Sequence, residues 1–215
     1  MPIAVIADMV GSRRLSDRAE AQRLLDETIA RVDEQLIVPH QPLRPTVGDE
    51  QQGVYETLDD ALASLLLVQL ALPDGIECRF GLGVGPVGTF ASAGGELQDG
   101  PGWWAAREAI ETVHAKQQRA APSARTWVVA SPDEDAGVHT AVRHANAYLL
   151  ARDQIVGAMN GRTRRFTIGR CLGVTQRDLA KAEGVTQPAV SQSLANAGAS
   201  AVIEGFALLR EGGAS

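Results

Sequence analysis

The sequence contains few of the residues that build metal centres and disulfide frameworks. Its two cysteines, Cys78 and Cys171, stand in unrelated contexts and give neither a metal-ligand spacing nor a disulfide pattern. The four histidines also show no ligand spacing. We therefore expect a protein of the reducing cytoplasm without a metal centre built from cysteine or histidine.

Long hydrophobic runs are also missing. The first twelve residues have no basic segment, and their apolar run is too short for a signal peptide or a membrane span. The most apolar stretch, ALASLLLVQLAL (61–72), is too short to cross a bilayer and is typical of a buried helix. No internal repeat or low-complexity segment occurs. These absences predict a globular protein with no membrane partner.

Positive charge is scarce in the first part of the chain. Residues 1–150 hold 12 Lys/Arg against 21 Asp/Glu, whereas residues 151–200 hold 7 Lys/Arg against 3 Asp/Glu. The whole chain has a formal net charge of −6. This change of sign predicts two modules with different partners, the second tolerating a polyanion. A solvated surface without a charged partner is the alternative explanation.

Short β-branched runs alternate with helical periodicities in the first part of the chain. They predict the order β-α-β-β-α-β-α-β, which contains the ferredoxin-like βαββαβ unit, with helices on one face of a mostly antiparallel sheet. The glycine-rich stretch TFASAGGELQDGPG after the fourth strand is expected to be a loop. Strands are expected at 3–10, LRPTV, QQGVYE, 76–87 and 125–131, and helices near 17–36, 58–71 and 103–118.

The stretch TVGDEQQGVYE (46–56) places a glycine and two acids between two strand-like runs. Gly48 and Asp49 are ordinary turn residues, so a plain hairpin is one explanation. In a ferredoxin-like arrangement, however, the end of the first strand lies beside this turn, which brings Asp8 close to Asp49. Two carboxylates at adjacent strand ends suit Mg²⁺, which takes other ligands from phosphates and water. Glu50 is a third candidate, although its side chain should point away from that of Asp49.

The segment after Asp8 supplies groups that suit a phosphate. Gly11 and the preceding amides permit the close approach of a triphosphate, and the N-terminus of the following helix favours anions. Ser12 and Arg13 add a polar and a cationic group. Gly11, Ser12 and Arg13 are therefore predicted to contact a nucleotide held through the metal at Asp8 and Asp49.

Four motifs of the chain resemble, in order and approximate spacing, those of the SatD family: VIADMVGSRR, VGDEQQG, RFGLGVGPV and DGPGWWAAREAIE. The match covers roughly residues 1–131. That family is similar to the catalytic domains of adenylyl and guanylyl cyclases and, more distantly, to GGDEF domains. The resemblance implies that Asp8 and Asp49 bind Mg²⁺ or Mn²⁺ and that Arg107 stabilises the triphosphate of a purine nucleotide. A surface ion pair is the alternative role of Arg107.

Three positions depart from the cyclase pattern. Trp103 stands where cyclases carry an asparagine, and Thr46 stands where they carry a purine-selecting lysine. Gly100 replaces the aspartate that reads the base, unless the adjacent Asp99 has taken that role. Loss of a positioned donor typically costs orders of magnitude in the rate of phosphoryl chemistry. We therefore expect the site to bind a nucleotide more readily than it cyclises one.

Two further patterns near the predicted site have more than one explanation. Gly81, Gly83 and Gly85 leave one strand face bare, which indicates the close approach of another backbone or a ligand, as at a cleft shared by two subunits. Trp103 and Trp104 open the next helix. Packing in a core or a dimer interface is one explanation for them, and base stacking is another.

The stretch TQRDLAKAEGVTQPAVSQSLANAG has the layout of a helix-turn-helix. The first helix is expected over about 175–182. Gly184 suits a left-handed turn residue, and Thr186 is expected to cap the second helix. Val190 and Leu194 give that helix a buried stripe. The layout resembles that of bacterial repressors and sigma-like factors, and a helical hairpin used for packing is the alternative.

Gln187, Ser191 and Gln192 would then reach the base edges of double-stranded DNA. The second helix carries no Lys or Arg, so the phosphate contacts are assigned to nearby arginines. These arginines are Arg164, Arg165 and Arg177. Such modules usually gain affinity from a symmetric dimer, so a homodimer is expected.

Together these features predict an α+β, ferredoxin-like and nucleotidyl-cyclase-like domain over residues 1–135. A helical connector and a small all-α helix-turn-helix module follow over residues 136–215. The predicted function is that of a cytoplasmic transcriptional regulator that binds DNA and responds to a Mg²⁺-nucleotide. An active nucleotidyl cyclase, or another phosphoryl transferase that processes nucleotides, is the alternative. An interaction protein with degenerate sites is a third possibility.

Overall fold

A computed structural model describes most of the chain, namely residues 1–12, 17–38, 40–46, 50–92 and 95–212. Three residues of the predicted site, Arg13, Gly48 and Asp49, lie outside the described residues.

Five strands form the central sheet: β1 (Ile3–Met9), β2 (His40–Pro45), β3 (Gln51–Tyr55), β4 (Cys78–Val84) and β7 (Thr126–Ala130). They lie in the order β2-β3-β1-β4-β7. The first four are antiparallel to their neighbours, and β7 runs parallel to β4. The order β2-β3-β1-β4 is that of a ferredoxin-like βαββαβ unit, so the predicted α+β fold is confirmed.

Two helices, α1 (Arg18–Gln35) and α2 (Leu58–Ala71), cover one face of this sheet. The odd-numbered side chains of β1, from Ile3 to Met9, are buried together with the apolar stripe of α1 and with α2. Nearly every residue of α2 is buried. This burial explains why the α2 sequence has hardly any polar face.

A third helix, α3 (Pro101–Gln117), packs on the opposite face of the sheet, against β1, β4 and β7. A Cβ on Gly83 would lie 1.9 Å from the carbonyl oxygen of Gly102, and a Cβ on Gly81 would lie 2.4 Å from the amide nitrogen of Ile110. The predicted close approach of a backbone is therefore confirmed, and the backbone belongs to a helix of the same chain. The expectation that the helices share one face does not hold for α3.

The glycine-rich stretch after β4 contains two further strands, β5 (Gly88–Ser92) and β6 (Gly95–Asp99). They pair with each other as an antiparallel hairpin. The prediction of a loop there is wrong. Glycine lowers intrinsic strand propensity, but pairing of two segments across a short turn depends on backbone hydrogen bonds that glycine also makes.

Five helices follow β7: α4 (Ala136–Gly157), α5 (Gly161–Cys171), α6 (Gln176–Ala182), α7 (Gln187–Asn196) and α8 (Ala199–Gly212). α4 packs along β7, while α5 and α8 pack against α2. Leu149, Phe166 and Phe206 from these helices join the same core as the sheet. Within the ranges that the structure describes, no helix combines the length and apolarity needed to cross a membrane.

β7 lies at the edge of the sheet, and side chains of α4 satisfy its free backbone groups. The side chain of Asn146 accepts from the amide of Val128 at 2.9 Å and donates to the carbonyl oxygen of the same residue at 2.8 Å. Oδ2 of Asp153 accepts from the amides of Arg125 and Thr126 at 2.7 and 2.8 Å. The helix thereby closes an edge that would otherwise be open to pairing with another strand.

Candidate functional site

Asp8 lies near the end of β1, directly opposite Arg79 of β4. The Arg79 guanidinium donates from Nε to Oδ1 at 2.8 Å and from Nη2 to Oδ2 at 2.9 Å. It also donates from Nη1 to the side chain of Gln117, at the end of α3, at 3.1 Å. The Arg79 side chain is 9% exposed and that of Asp8 is 28% exposed. Asp8 is therefore held in a bidentate ion pair but can still be reached from solvent.

Glu50 is the acid that the strand register sets beside Asp8. Ala7 pairs with Gln51, so the two acids are the next residues along β1 and along the segment leading into β3. Residues opposite each other in an antiparallel pair lie on the same sheet face. The Glu50 carboxylate accepts two hydrogen bonds from Arg107 of α3, at 2.7 and 2.8 Å.

The two ion pairs form one charged edge, which we define as Asp8, Glu50, Arg79 and Arg107. The hydrogen bonds from Arg107 to Glu50 raise the pKa of Arg107, and the negative charges of Glu111 and Asp8 raise it further. The guanidinium of Arg107 therefore interacts with acids at the ends of two neighbouring strands.

Asp8 and Glu50 are the carboxylates of the charged edge that could hold a metal ion together with a phosphate. Within the described ranges, no three His, Cys, Asp or Glu side chains are grouped as ligands. Mg²⁺ requires only one or two carboxylates when phosphate and water supply the rest. Asp8 and Glu50 each accept two hydrogen bonds from an arginine, and a carboxylate has about four lone-pair sites. The donor set therefore suits a metal–phosphate ligand better than a bare ion.

The turn after β1 has one feature that the predicted phosphate contact requires. Gly11 has a φ of 67°, in the left-handed region that favours glycine. The amide of Val10 is already bonded to the carbonyl oxygen of Glu77 at 2.8 Å. Ser12 is a buried residue. The left-handed Gly11 makes the turn at the end of β1, whereas the preceding amide and the Ser12 hydroxyl are less accessible than the sequence suggests.

The two tryptophans of α3 have different environments. Trp103 is 7% exposed and packs with Ala4 and Ile6 of β1, so the explanation that it belongs to the core is confirmed. Trp104 is 64% exposed, and its Nε1 donates to Oδ1 of Asp99 at 2.9 Å. At the position of the cyclase asparagine, therefore, this chain has a buried indole instead of an amide that a phosphate can reach.

α6 and α7 are joined by a tight turn. Gly184 has a φ of 65°, and the amide of Val185 donates to the carbonyl oxygen of Ala180 at 2.9 Å. The hydroxyls of Thr175 and Thr186 cap the two helices by accepting hydrogen bonds from backbone amides. Both helices and the turn glycine lie at their predicted positions. The assignment of the pair to a DNA-binding motif stays a prediction.

The residues predicted to read bases lie on one exposed part of α7. Gln187, Ser191 and Gln192 are all exposed. Gln187 donates to the side chain of Gln176 at 2.8 Å, and Gln192 donates to that of Asn196 at 2.6 Å. These hydrogen bonds lie at the surface and do not prevent the amides from meeting a ligand.

The three arginines predicted to contact phosphates differ in exposure. Arg164 is ion-paired with Asp74, and only 15% of its side chain is exposed. Arg165 is more than half exposed and forms a bidentate pair with Glu183, at 2.6 and 2.8 Å. Arg177 is exposed on α6. Arg165 and Arg177 are therefore accessible to a polyanion, whereas Arg164 lies at the junction of α2 and α5.

Sequence reasoning missed the roles of Arg79 and Glu50. The available signal for Arg79 was a single arginine within the apolar strand ECRFGLGV. A cation buried in a sheet requires an acidic partner, and Asp8 is the acid of the neighbouring strand. The register that sets Asp8 opposite Arg79 and beside Glu50 cannot be read from either strand alone.

Comparisons with known proteins concern the family and the fold. The model of the SatD family matches residues 2–198. A comparison with curated proteins finds no match.

Solved structures to which the chain is similar in fold include a bacterial light-regulated adenylyl cyclase. The identity is 13%, with 58% of this chain and 73% of that chain covered and a TM-score of 0.43. Another is the dimeric guanylyl cyclase domain of the RhoGC fusion protein from the aquatic fungus Blastocladiella emersonii. Here the identity is 16%, with 52% of this chain and 73% of that chain covered and a TM-score of 0.40. On the strength of the family match over nearly its whole length, the chain belongs to the SatD family.

Proposed function

We propose that this protein is a cytoplasmic DNA-binding regulator whose sheet domain, residues 1–135, binds a purine nucleotide together with Mg²⁺ or Mn²⁺. Residues 136–215 would supply the connector and the DNA-binding helices, and the working unit would be a homodimer. The observation that carries the proposal is the charged edge, where Asp8 pairs with Arg79 and the neighbouring Glu50 pairs with Arg107, the arginine at the position of the cyclase arginine.

Asp8 and Asp49 would hold the metal, and Glu50, which the strand register sets on the sheet face of Asp8, is the third candidate ligand. When bound, the metal would neutralise part of the phosphate charge. The Arg107 side chain is 47% exposed, so a phosphate can compete with Glu50 for its guanidinium. Arg79 would keep Asp8 in place, because its two hydrogen bonds fix the carboxylate plane at the strand end.

Binding is favoured over cyclisation by the environment of Trp103. Its indole packs in the apolar cluster between α3 and the sheet. A residue in that position has no amide to place on a developing phosphoryl charge, and such a donor is worth about two to three powers of ten in rate.

The nucleotide proposal is tested by calorimetric titration of the full chain with ATP and with GTP, with and without Mg²⁺. We expect binding of at least one nucleotide that depends on Mg²⁺ and falls at least tenfold in Asp8→Asn and Asp49→Asn. Asp133→Asn, which changes an exposed acid outside the charged edge, is the matched control and should bind as the wild type does. Unchanged binding in Asp49→Asn would restore the plain hairpin as the explanation of the Gly-Asp-Glu turn.

An active cyclase is the second candidate, and the bidentate pairing of Arg107 with Glu50, next to Asp8, favours it. Incubation of the purified protein with ATP or GTP and Mn²⁺ separates the two functions. We expect no cyclic product above the background of Arg107→Gln. Formation of cyclic nucleotide by the wild type but not by Asp49→Asn would establish the enzyme instead.

The DNA proposal rests on the exposed face of α7 and on the cations beside it. Enrichment of bound duplexes from a random pool should yield a palindromic site, because a homodimer presents two copies of α7. Gln192→Ala should relax the preference at one position of each half-site. Arg177→Gln should weaken binding to all sequences and reduce the salt dependence by about one phosphate contact per protomer, or about two per homodimer. Failure to enrich any sequence would favour packing as the role of α6 and α7.

Coupling between the two modules is supported by the contacts of α5 and α8 with α2. We propose that the bound nucleotide changes dimer geometry and so the spacing of the two DNA-binding helices. Sedimentation and DNA titration with and without the nucleotide test this step. If both the dimer and the DNA affinity are unaffected by saturating nucleotide, the modules act independently.

A further inference from the structure

A cavity of about 500 Å³ lies between the ends of α1 and α2 and the helix α5. Its wall is largely aliphatic and includes Leu70 of α2, Ile168 and Leu172 of α5, and Val174. Cavities of this size with mainly apolar walls and few polar groups are typical of sites for small organic ligands.

The charged residues that line the cavity are predominantly cationic: three arginines, Arg31, Arg164 and Arg165, are found with one aspartate, Asp74. Asp74 pairs with Arg164, but its own side chain is 80% exposed. Among the described residues, the side chain of Arg31, on α1, makes a long hydrogen bond of 3.5 Å to Thr28. Because Glu183 pairs with Arg165 and Asp74 pairs with Arg164, Arg31 is the arginine of the cavity that favours an anionic group on the ligand.

Arg164 supplies a second, independent indication. Its Nε is buried and has no hydrogen-bond partner within the described part of the chain. A buried donor without a partner destabilises the folded state, so a ligand oxygen that accepts a hydrogen bond from this Nε would be stabilising. The same arginine also lines a smaller neighbouring cavity of about 200 Å³, so it lies between two spaces that a ligand could fill.

We propose that this cavity binds an amphipathic carboxylic acid, with its aliphatic chain against Leu70, Ile168 and Leu172 and its carboxylate on the arginines. The occupant follows from complementarity: the apolar wall suits a hydrocarbon part, and Arg31 together with the buried Nε of Arg164 suits an acid. None of the four residues of the charged edge lines the cavity. The inference therefore stands whether or not the sheet domain binds a nucleotide.

The site would place a ligand at the junction of the two modules. α5 contacts α2 on one side and α6, α7 and α8 on the other. An occupant that packs against both α2 and α5 would stabilise this junction, because it binds only when the two helices are correctly apposed.

The experiment is calorimetric titration of the full-length protein with octanoate, and with 1-octanol as the probe that lacks the charge. We expect saturable binding of octanoate and at least tenfold weaker binding of octanol. Arg31→Gln should weaken octanoate binding roughly fivefold, since a partly exposed ion pair is worth on the order of 1 kcal/mol. Its matched control is Arg143→Gln, an exposed arginine of α4 outside the cavity, which should bind as the wild type does.

A second variant tests the apolar part. Val174 lies at the wall and is 37% exposed, so Val174→Trp can extend into the cavity with little cost to folding. We expect this variant to keep the wild-type circular dichroism and to lose at least tenfold in octanoate affinity. Absence of saturable octanoate binding, equal affinity for octanol, or unchanged affinity in both Arg31→Gln and Val174→Trp would each overturn the proposal.

Discussion

The structure leaves no room for a side chain at Gly83. A methyl group there would meet the carbonyl oxygen of Gly102 at 1.9 Å and the amide nitrogen of Ala106 at 2.4 Å, both in the backbone of α3. Because a helix backbone cannot yield as a side-chain end does, we expect Gly83→Ala to lower the free energy of unfolding by about 3 kcal/mol. Urea denaturation followed by tryptophan fluorescence measures the change.

Gly157→Ala is the matched control for Gly83→Ala. The nearest atom to a Cβ on Gly157 is 3.9 Å away, so nothing obstructs the methyl group. Alanine is also the better helix former, and the variant should be neutral or more stable by up to about 1 kcal/mol. Equal unfolding midpoints for the two variants would mean that α3 does not press on β4 as the structure describes.

The two tyrosines predict a dependence of stability on alkaline pH. Burial raises the pKa of Tyr55 and of Tyr148 above the usual value. A raised pKa means that the folded protein holds the phenolic proton more tightly than the unfolded chain. This stabilisation is complete below about pH 10, the pKa of tyrosine in the unfolded chain. It is lost as the pH rises further, toward the pKa of the folded protein.

Absorbance near 295 nm and urea denaturation across this range test the tyrosine prediction. We expect no phenolate signal from the native protein at the pH where free tyrosine is half ionised, and a falling free energy of unfolding above it. Half-ionisation of either tyrosine in the native protein at that pH would contradict the burial that the structure assigns to it.

At the scale of elements, side chains of α4 make hydrogen bonds to the backbone of β7 that a neighbouring strand would otherwise make. Asn146→Leu would keep the approximate volume but leave the amide and the carbonyl oxygen of Val128 without their partner. Two unpaired backbone groups in a buried position should lower the free energy of unfolding by about 3 kcal/mol. Hydrogen exchange of the Val128 amide should become faster in the same variant.

Asn196→Leu provides the comparison for Asn146→Leu. Asn196 is exposed at the end of α7, and its side chain accepts a hydrogen bond from that of Gln192. Its replacement should change the free energy of unfolding by no more than about 0.5 kcal/mol. Similar effects of the two substitutions would show that Asn146 does not protect the edge of the sheet.

The elements also show what the sequence can and cannot predict. Helical periodicity was sufficient to predict α1, α2 and α3, and turn chemistry predicted the β2–β3 hairpin, because these signals are local. The sheet face occupied by α3 was not predictable. The glycines of β4 indicate that a backbone or a ligand approaches the strand closely, but they do not identify the element that does so. The β5–β6 hairpin was missed because its backbone pairing leaves little trace in glycine-rich sequence. The pairing of Asp8 with Arg79 depends on register, which is a property of two strands together.

At the scale of the whole molecule, the boundary at residue 135 divides the proposed functions. It does not divide the hydrophobic core, which extends across both parts of the chain. One buried cluster contains Leu65 of α2 and Val5 of β1 together with Leu149, Phe166 and Phe206 of the C-terminal helices. Arg210 of α8 also donates to the buried carboxylate of Asp60, in the first turn of α2, at 3.0 Å. A fragment ending at residue 135 would expose the α2 surface that these helices cover.

The continuous core predicts that the chain unfolds as one unit. All three tryptophans, Trp103, Trp104 and Trp127, belong to the sheet part, whereas far-ultraviolet circular dichroism reports largely on the helices, five of which follow β7. We expect both signals to change at the same urea concentration, because the C-terminal helices cannot leave α2 and β7 without opening the core. The fragment 1–135 should accordingly aggregate or lack the dispersed amide spectrum of a folded domain. A soluble fragment with such a spectrum, or a dichroism transition well separated from the fluorescence transition, would show that the two modules fold independently and are joined only by their contact surface.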